Sequence, residues 1–270
     1  MTTVVWFKRD LRTRDHAPLV AAASLGEPVI PLYVIEDEYW QLPDTSGRQW
    51  AFIRDSLDDL DRQLRKAGSR LLVMRGSVID TLKQLQARQD VKRVFCHQET
   101  GGHWTFERDK AVIGWCSENQ VEFREWNQFG VVRRLGDRNV WDRAWTELMR
   151  QPLLEAPARI PEMKGIEGDA SGYDSRDFTL PDSCPDRQAG GSTRGEKLLT
   201  SFLDRRCVGY QYNISSPNTA VRACSRLSPH IAYGTVSLRE IYQGAKATGN
   251  HRNTLPRKKK SLTSFRSRLH

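Results

Sequence analysis

The first 130 or so residues alternate short β-type runs with helical patterns. Val4-Val5-Trp6-Phe7 is a β-branched and aromatic run, followed by a polar turn and an alanine-rich segment over 15–23 with helical propensity. Val29, Ile30, Leu32, Tyr33, Val34 and Ile35 repeat the strand signature within 28–35. From Gln49 to Ala67 the apolar residues Ile53, Leu57, Leu60, Leu64 and Ala67 recur every three or four positions on one helical face, and Gly68 stands where a left-handed C-terminal cap belongs. Residues 70–74 predict a third strand. After the Gly76 turn, Ser77 with Asp80 three positions on predicts a capped helix running through Leu85. A strand over 92–96, a helix over 104–116 and a strand over 121–126 complete the series. This alternation predicts an α/β fold, a Rossmann-like doubly wound parallel sheet. Its ligand crevice belongs at the carboxyl ends of the strands, near Lys8–Arg12, Glu36–Asp37, Arg75–Gly76 and His97–Thr100.

The pattern then breaks. From Pro152 to about Gly191, prolines and glycines mix with Asp and Ser without sustained periodicity, as in a connection between domains. Helical spacing resumes with Leu198 and Phe202, and two helix starts follow closely. Ser228-Pro229 predicts an N-cap with proline at the first helical position, and Ser237 with Glu240 predicts a capping box. The expected organisation is an α/β domain over 1–131, a linker over 132–190 and an incomplete all-α domain over 191–270.

Composition sharpens this division. The chain has 270 residues and a net charge of +9. Residues 191–270 hold 15 Lys and Arg against 3 Asp and Glu, whereas residues 1–190 hold 27 against 30. A basic block of that size attracts polyanions, nucleic acid foremost, with plain solvated surface as the alternative. No apolar run approaches the roughly 18–20 residues that span a bilayer, and the N-terminus lacks the pattern of a secretory leader, so a cytoplasmic protein without membrane contact is expected. Cys96, Cys116, Cys184, Cys207 and Cys224 show no metal-type spacing and read as reduced thiols. Gly-x-Gly-x-x-Gly, the P-loop signature, Gly-x-Ser-x-Gly and His-Glu-x-x-His are all missing, which removes the commonest dinucleotide, NTPase, hydrolase and zinc-peptidase readings. His97, His103 and His230 lack partner spacing and read as packing or surface residues. Asp58, Asp59 and Asp61 read as a solvated helix face.

Around residue 228, helix-terminus amides, the Ser225 and Ser228 hydroxyls and the Arg226 cation are placed together, a set that suits a diphosphate, although capping serines are more often only caps. Here the residues match a known pattern. Val4-Val5-Trp6-Phe7-Lys8-Arg9-Asp10-Leu11-Arg12 with Asp15-His16 resembles the opening strand and turn of the DNA photolyase and cryptochrome family. Ser225-Arg226-Leu227-Ser228-Pro229 with Gly234-Thr235-Val236-Ser237 is similar to that family's flavin-phosphate loop, and Glu99-Thr100-Gly101 and Arg108-Asp109 lie between the two.

The resemblance implies an α/β domain that can hold a light-harvesting antenna of folate or deazaflavin type, and a helical domain that binds FAD. Excited reduced FAD would pass an electron to a cyclobutane pyrimidine dimer in DNA and recover it after the ring splits. The implied partner is dimer-bearing DNA, with the protein a monomer. The resemblance places FAD contacts at Tyr212, Cys224, Ser225, Arg226, Leu227 and Ser228; Tyr212 is assigned because it lies twelve positions before Cys224. Cys224 stands where the family usually has threonine, and Ser216 where many members have a DNA-contacting arginine. Around Thr105 there is no clear equivalent of the folate-binding carboxylate of some members. Thr254–His270 resembles the run leading into the helix that lines the lesion pocket. The expectation is therefore a chain ending within the FAD-binding domain, with weak or no flavin retention and no repair by itself. Alternatives are a cryptochrome-type photoreceptor without repair activity, or a non-catalytic nucleotide-binding module with a basic tail.

Overall fold

Thr2–Phe7 (β1) is buried along its whole length, as is Val29–Ile35 (β2) beside it. Strands that are apolar on both faces belong at the centre of a sheet covered on both sides. In the computed structural model, which describes residues 1–133, 135–162, 165 and 184–270, they pair in parallel with Leu72–Arg75 (β3), Val91–His97 (β4) and Glu122–Trp126 (β5) in the order β3-β2-β1-β4-β5. The register sets Val4 against Ile30 on one side and Val94 on the other. The order reverses between β1 and β4, and there the crevice of a doubly wound sheet opens.

Helices fill the crossovers as the periodicity predicts: Ala17–Ser24 (α1), Gly47–Lys66 (α3), Val78–Arg88 (α4) and His103–Glu118 (α5), with the short Asp37–Trp40 (α2), not foreseen in sequence, following β2. Gly68 takes the left-handed conformation just past α3 (φ +83°), and Ser77 caps α4 by accepting the Asp80 N–H at 3.0 Å. Alternation along β1 turns Val4 and Trp6 toward α4 and α5, whose Leu82, Leu85, Val112 and Trp115 join them in one core. Asp59 belongs to the buried side of α3, where it accepts hydrogen bonds from Arg62 and Gln63. The solvated-face reading of Asp58–Asp61 fails there, because Asp59 falls between buried Leu57 and Leu60.

The chain divides into two units, and each is discontinuous. Met1–Asn127 joins Leu154–Gly191, and Gln128–Leu153 joins Ser192–His270. Residues 132–190 are therefore not a single connection. Their first part contains a helix, Trp141–Arg150 (α6), whose buried Trp145 and Met149 pack with Leu238 in the helical unit. The later part returns to the sheet unit, where Ile160 N–H reaches the Ala67 carbonyl and Val29 N–H reaches that of Pro161. Residues 163–164 and 166–183 of the expected linker lie outside the described residues.

In the helical unit follow Ser192–Asp204 (α7), Tyr210–Asn213 (α8), Pro217–Ala223 (α9), Ser228–Ala232 (α10), Leu238–Asn250 (α11) and Pro256–Ser267 (α12). Phe202, Tyr210, Leu227, Ile241, Leu262 and Phe265 form its core. The capping box at the head of α11 is complete: Ser237 Oγ accepts the Glu240 N–H (3.0 Å) and Glu240 Oε2 accepts the Ser237 N–H (3.2 Å). No helix among the described residues is long and apolar enough to cross a membrane.

Candidate functional site

At the carboxyl ends of β1 to β4 the sheet unit opens into a cavity of about 740 Å³. Arg9 after β1, Glu36 and Tyr39 after β2, Val78 after β3, and Trp104 and Arg108 on the first turns of α5 line it. Three of the four predicted strand-end clusters thus contribute to or border one space. Tyr39 and Trp104 pack against one another there, ring centroids 5.7 Å apart and tilted by 53°, and together give the cavity an aromatic side.

Behind those rings lies a charged wall assembled from residues far apart in sequence. Arg108 donates to Glu36 (2.9 Å), Glu99 (2.5 Å) and Asp109 (2.9 Å), and its guanidinium lies 4.8 Å from the Trp6 ring. Lys8 donates to Asp109 at 2.9 Å, and Arg9 contacts Glu99 at 3.2 Å. The placement follows from period: Lys8 continues the Val4–Trp6 face of β1, and Asp109 sits on the buried stripe Thr105–Asp109–Val112–Cys116 of α5. Burial acts to lower the Lys8 pKa, but Cys96, Asp109 and Glu99 raise it above the ordinary lysine value. Burial pushes the Cys96 thiol up to about 12, so at neutral pH it carries no charge and the two carboxylates hold the ammonium. Burial also raises the Glu36 pKa, against the pull of Arg108.

Beneath this wall, Asp10, His16 and His97 form a fully buried cluster. Asp10 Oδ2 meets His16 Nε2 at 2.9 Å and His97 Nδ1 at 2.8 Å, while Oδ1 accepts the Lys8 backbone N–H at 2.7 Å. These residue types can bind a metal. However, His16 Nδ1 accepts the Leu19 N–H at 3.1 Å, so the ring proton resides on Nε2 and is donated to Asp10. A nitrogen that donates a proton cannot ligate, so the cluster is a hydrogen-bonded clasp fixing the turn after β1.

The helical unit carries the second constellation. Arg226 adopts a left-handed conformation (φ 60°), a costly choice for a residue with a side chain. From below, the Arg206 guanidinium binds the carbonyls of Cys224, Leu198 (2.7 Å) and Ser225 (3.3 Å), and its Nε donates to Ser201 Oγ at 3.1 Å. Leu227, wholly buried, pins the loop to the core, and its N–H reaches Ser225 Oγ at 3.4 Å. With the carbonyls held inward, the amides of Ser225, Arg226 and Ser228 have no acceptor among the described residues. Three unfilled N–H groups, an arginine and the exposed Ser228 hydroxyl fit an anion, and the donor set matches a diphosphate.

Residues 3–133 match the family model described as DNA photolyase. A deoxyribodipyrimidine photo-lyase of Streptomyces griseus is 28% identical over 261 residues, covering 91% of this chain and 55% of the relative, and Cryptochrome-1 of Arabidopsis thaliana is 28% identical over 265 residues, covering 89% and 37%. Residues 3–133 thus form a DNA photolyase domain, and the chain as a whole is similar to photolyases and cryptochromes. Its fold is shared with a class III photolyase from Agrobacterium tumefaciens (TM-score 0.80, 24% identity, 99% of this chain and 56% of that one). It is also similar to an archaeal photolyase from Sulfolobus tokodaii solved with two FAD molecules (TM-score 0.69, 25% identity, 91% and 55%). The chain thus spans about half, or less, of the length of the relatives it matches.

Within this photolyase-type chain one sequence assignment changes, the N-cap role of Ser228. Tyr212 is 58% exposed and stacks on Arg257 at 4.8 Å, whereas Tyr210 is buried in the core, and that burial raises its pKa. A separation of twelve residues does not fix which face of the intervening turns a side chain takes; packing of Tyr210 against Phe202 and Phe265 does. Ser228 is the first residue of α10, with Leu227 as the cap residue and no side-chain cap bond, so its hydroxyl is free to face solvent. Tyr39 and Trp104 were missed: neither belongs to a motif, and only their positions at strand and helix ends mark them. Arg206 likewise belongs to no motif.

Replacing Arg206 by methionine is expected to release the loop carbonyls and cost about 1.5–3 kcal/mol, the worth of hydrogen bonds to a charged donor. Hydrogen exchange at the Leu227 amide, the one in this loop that has an acceptor among the described residues, should accelerate at least about tenfold in that variant. Unaltered exchange there would show that the loop holds its shape without the brace.

Proposed function

We propose that this chain carries the chromophore-gathering domain and the diphosphate grip of a DNA photolyase that splits cyclobutane pyrimidine dimers. The observation that carries this reading is the braced loop at 224–228, whose unfilled amides, Arg226 and serine hydroxyls suit the FAD diphosphate. Ser225, Arg226, Leu227 and Ser228 hold the diphosphate, and Cys224, a thiol in a family position for threonine, supplies a weaker contact. Reduced FAD, when bound there, supplies on illumination the electron that opens the dimer's cyclobutane ring. The cavity lined by Tyr39 and Trp104 holds an antenna chromophore of folate or deazaflavin type. The basic excess of residues 191–270 favours DNA as the partner. The cryptochrome reading is favoured by Ser216, which offers no cation where many photolyases contact DNA.

Titration with FAD separates these readings from a plain nucleic-acid-binding module. Arg226→Gly keeps the positive φ without strain and deletes the cation; FAD affinity should fall about tenfold, and an unchanged titration removes the loop from flavin binding. Repair of a dimer-bearing oligonucleotide under blue light with reduced FAD supports the photolyase reading. Flavin binding with intact dimers supports the photoreceptor.

A further inference from the structure

The cavity of the sheet unit has a charge pattern that its proposed antenna role leaves unexplained. Its two cations are already committed. Arg108 is shared among Glu36, Glu99 and Asp109, and Arg9 lies between Glu99 (3.2 Å) and the Tyr39 hydroxyl (2.9 Å). Neither guanidinium is left to meet a phosphate. At the mouth stand Glu38 and Asp44, both exposed and without an ion-pair partner among the described residues. Glu107 joins them, paired only with Lys110 (3.1 Å) on its own helix. Glu36, Glu99 and Asp109 balance Arg108, Arg9 and Lys8, and Glu107 is balanced by Lys110, so Glu38 and Asp44 give the lining its negative surplus, and a concave site focuses such a field on whatever enters. Of the first α4 amides that could offset it, Val78 N–H is held by Glu36 (3.4 Å), Asp80 N–H by Ser77 Oγ and Thr81 N–H by the Ser77 carbonyl, which leaves that of Ile79. The stacking rings and the surplus of acceptors, by contrast, suit a flat ring with hydrogen-bond donors on its edge.

We infer that this cavity selects a planar heteroaromatic chromophore with an uncharged, hydroxyl-bearing arm and rejects the phosphorylated form of the same molecule. The inference rests on the antenna role proposed above and adds the discriminating residues, Glu38 and Asp44. A phosphate on the arm would approach two unscreened carboxylates with no cation to receive it, so rejection should be strongest at low salt.

The test uses matched pairs of probes: riboflavin against FMN, and neopterin against neopterin monophosphate. Binding to the full chain is read by quenching of probe fluorescence, and the part lost in Trp104→Ala is assigned to the cavity. The uncharged member of at least one pair should bind there about tenfold more tightly at 10 mM salt, with the gap narrowing at 300 mM. Glu38→Gln with Asp44→Asn, both exposed and remote from the core, should close the gap without weakening the uncharged probe. Trp104-sensitive binding in which the phosphorylated member is equal or tighter overturns the inference while leaving the antenna role intact. If no probe shows Trp104-sensitive binding, the antenna role itself fails and the inference with it.

Discussion

Arg108→Met should destabilise the sheet unit by about 3–5 kcal/mol at pH 7, the cost of removing one partner from a buried ionic network. The carboxylates it serves are not equally exposed to the loss. Asp109 keeps Lys8 at 2.9 Å and Glu99 keeps Arg9 at 3.2 Å, but Glu36 has only the Val78 N–H, at 3.4 Å, among its remaining bonds. Burial already raises the Glu36 pKa, and without Arg108 nothing nearby opposes that push. The variant therefore carries a signature that a simple packing loss lacks. A carboxyl whose folded pKa lies above its unfolded value binds more protons when folded, so its penalty shrinks as pH falls through the folded pKa towards the unfolded one. Relative to the parent, Arg108→Met should recover stability between pH 7 and 5, and Glu36→Gln in the same chain should restore part of it at pH 7. Urea unfolding followed by tryptophan fluorescence measures both effects. A loss under about 1 kcal/mol, or one indifferent to pH, would mean that the cavity wall does not depend on its central cation.

That network also shows how far the amino-acid pattern could be read. The strands and helices of the first 126 residues are local events: period-2 runs, a 3.6-residue stripe and cap residues each act within one turn or one strand. They were legible to within a few residues, and so was the crevice, because parallel topology puts it at the carboxyl ends of strands. The partners that meet there were not. Lys8 and Asp109 are brought together only once β1 lies beside β4 and α5 packs across them, and no window of sequence contains both. The helical unit repeats the lesson. Trp141, Trp145, Leu148 and Met149 do carry helical spacing, yet α6 lay inside a stretch read as linker because its packing partner, Leu238, lies in a later segment. The loop at 224–228 was legible as a motif, whereas its support by Arg206 was not, since a guanidinium that serves backbone carbonyls leaves no trace in residue type at the positions it serves.

Acidification supplies the second large effect, and it originates in the clasp behind the cavity. Burial lowers the His97 pKa to about 3, aided by His16 and opposed by Asp10, and burial lowers that of His16 as well. In the unfolded chain a histidine titrates near 6.5. Between pH 6.5 and the depressed folded values the unfolded state thus binds more protons than the folded one, so stability falls as pH falls. Burial acts to raise the Asp10 pKa, but the His16 and His97 N–H donors outweigh it and hold the carboxyl well below its ordinary value, which extends the same trend below pH 4. For His97 alone, a shift from about 6.5 to about 3 removes about 2 kcal/mol between pH 7 and pH 5; His16 adds to this with the same sign. In the helical unit burial lowers the His230 pKa to about 4, and its Nδ1 lies 2.7 Å from Thr235 Oγ1, so that unit weakens over the same range. The urea midpoint should drop steeply from pH 7 to 5. His97→Gln, which keeps a donor for Asp10 but cannot titrate, should start lower and descend less. Midpoints that stay level across this range would require His97 and His16 to be charged in the folded protein, and a single carboxylate facing two imidazolium rings would then have to be stable without water.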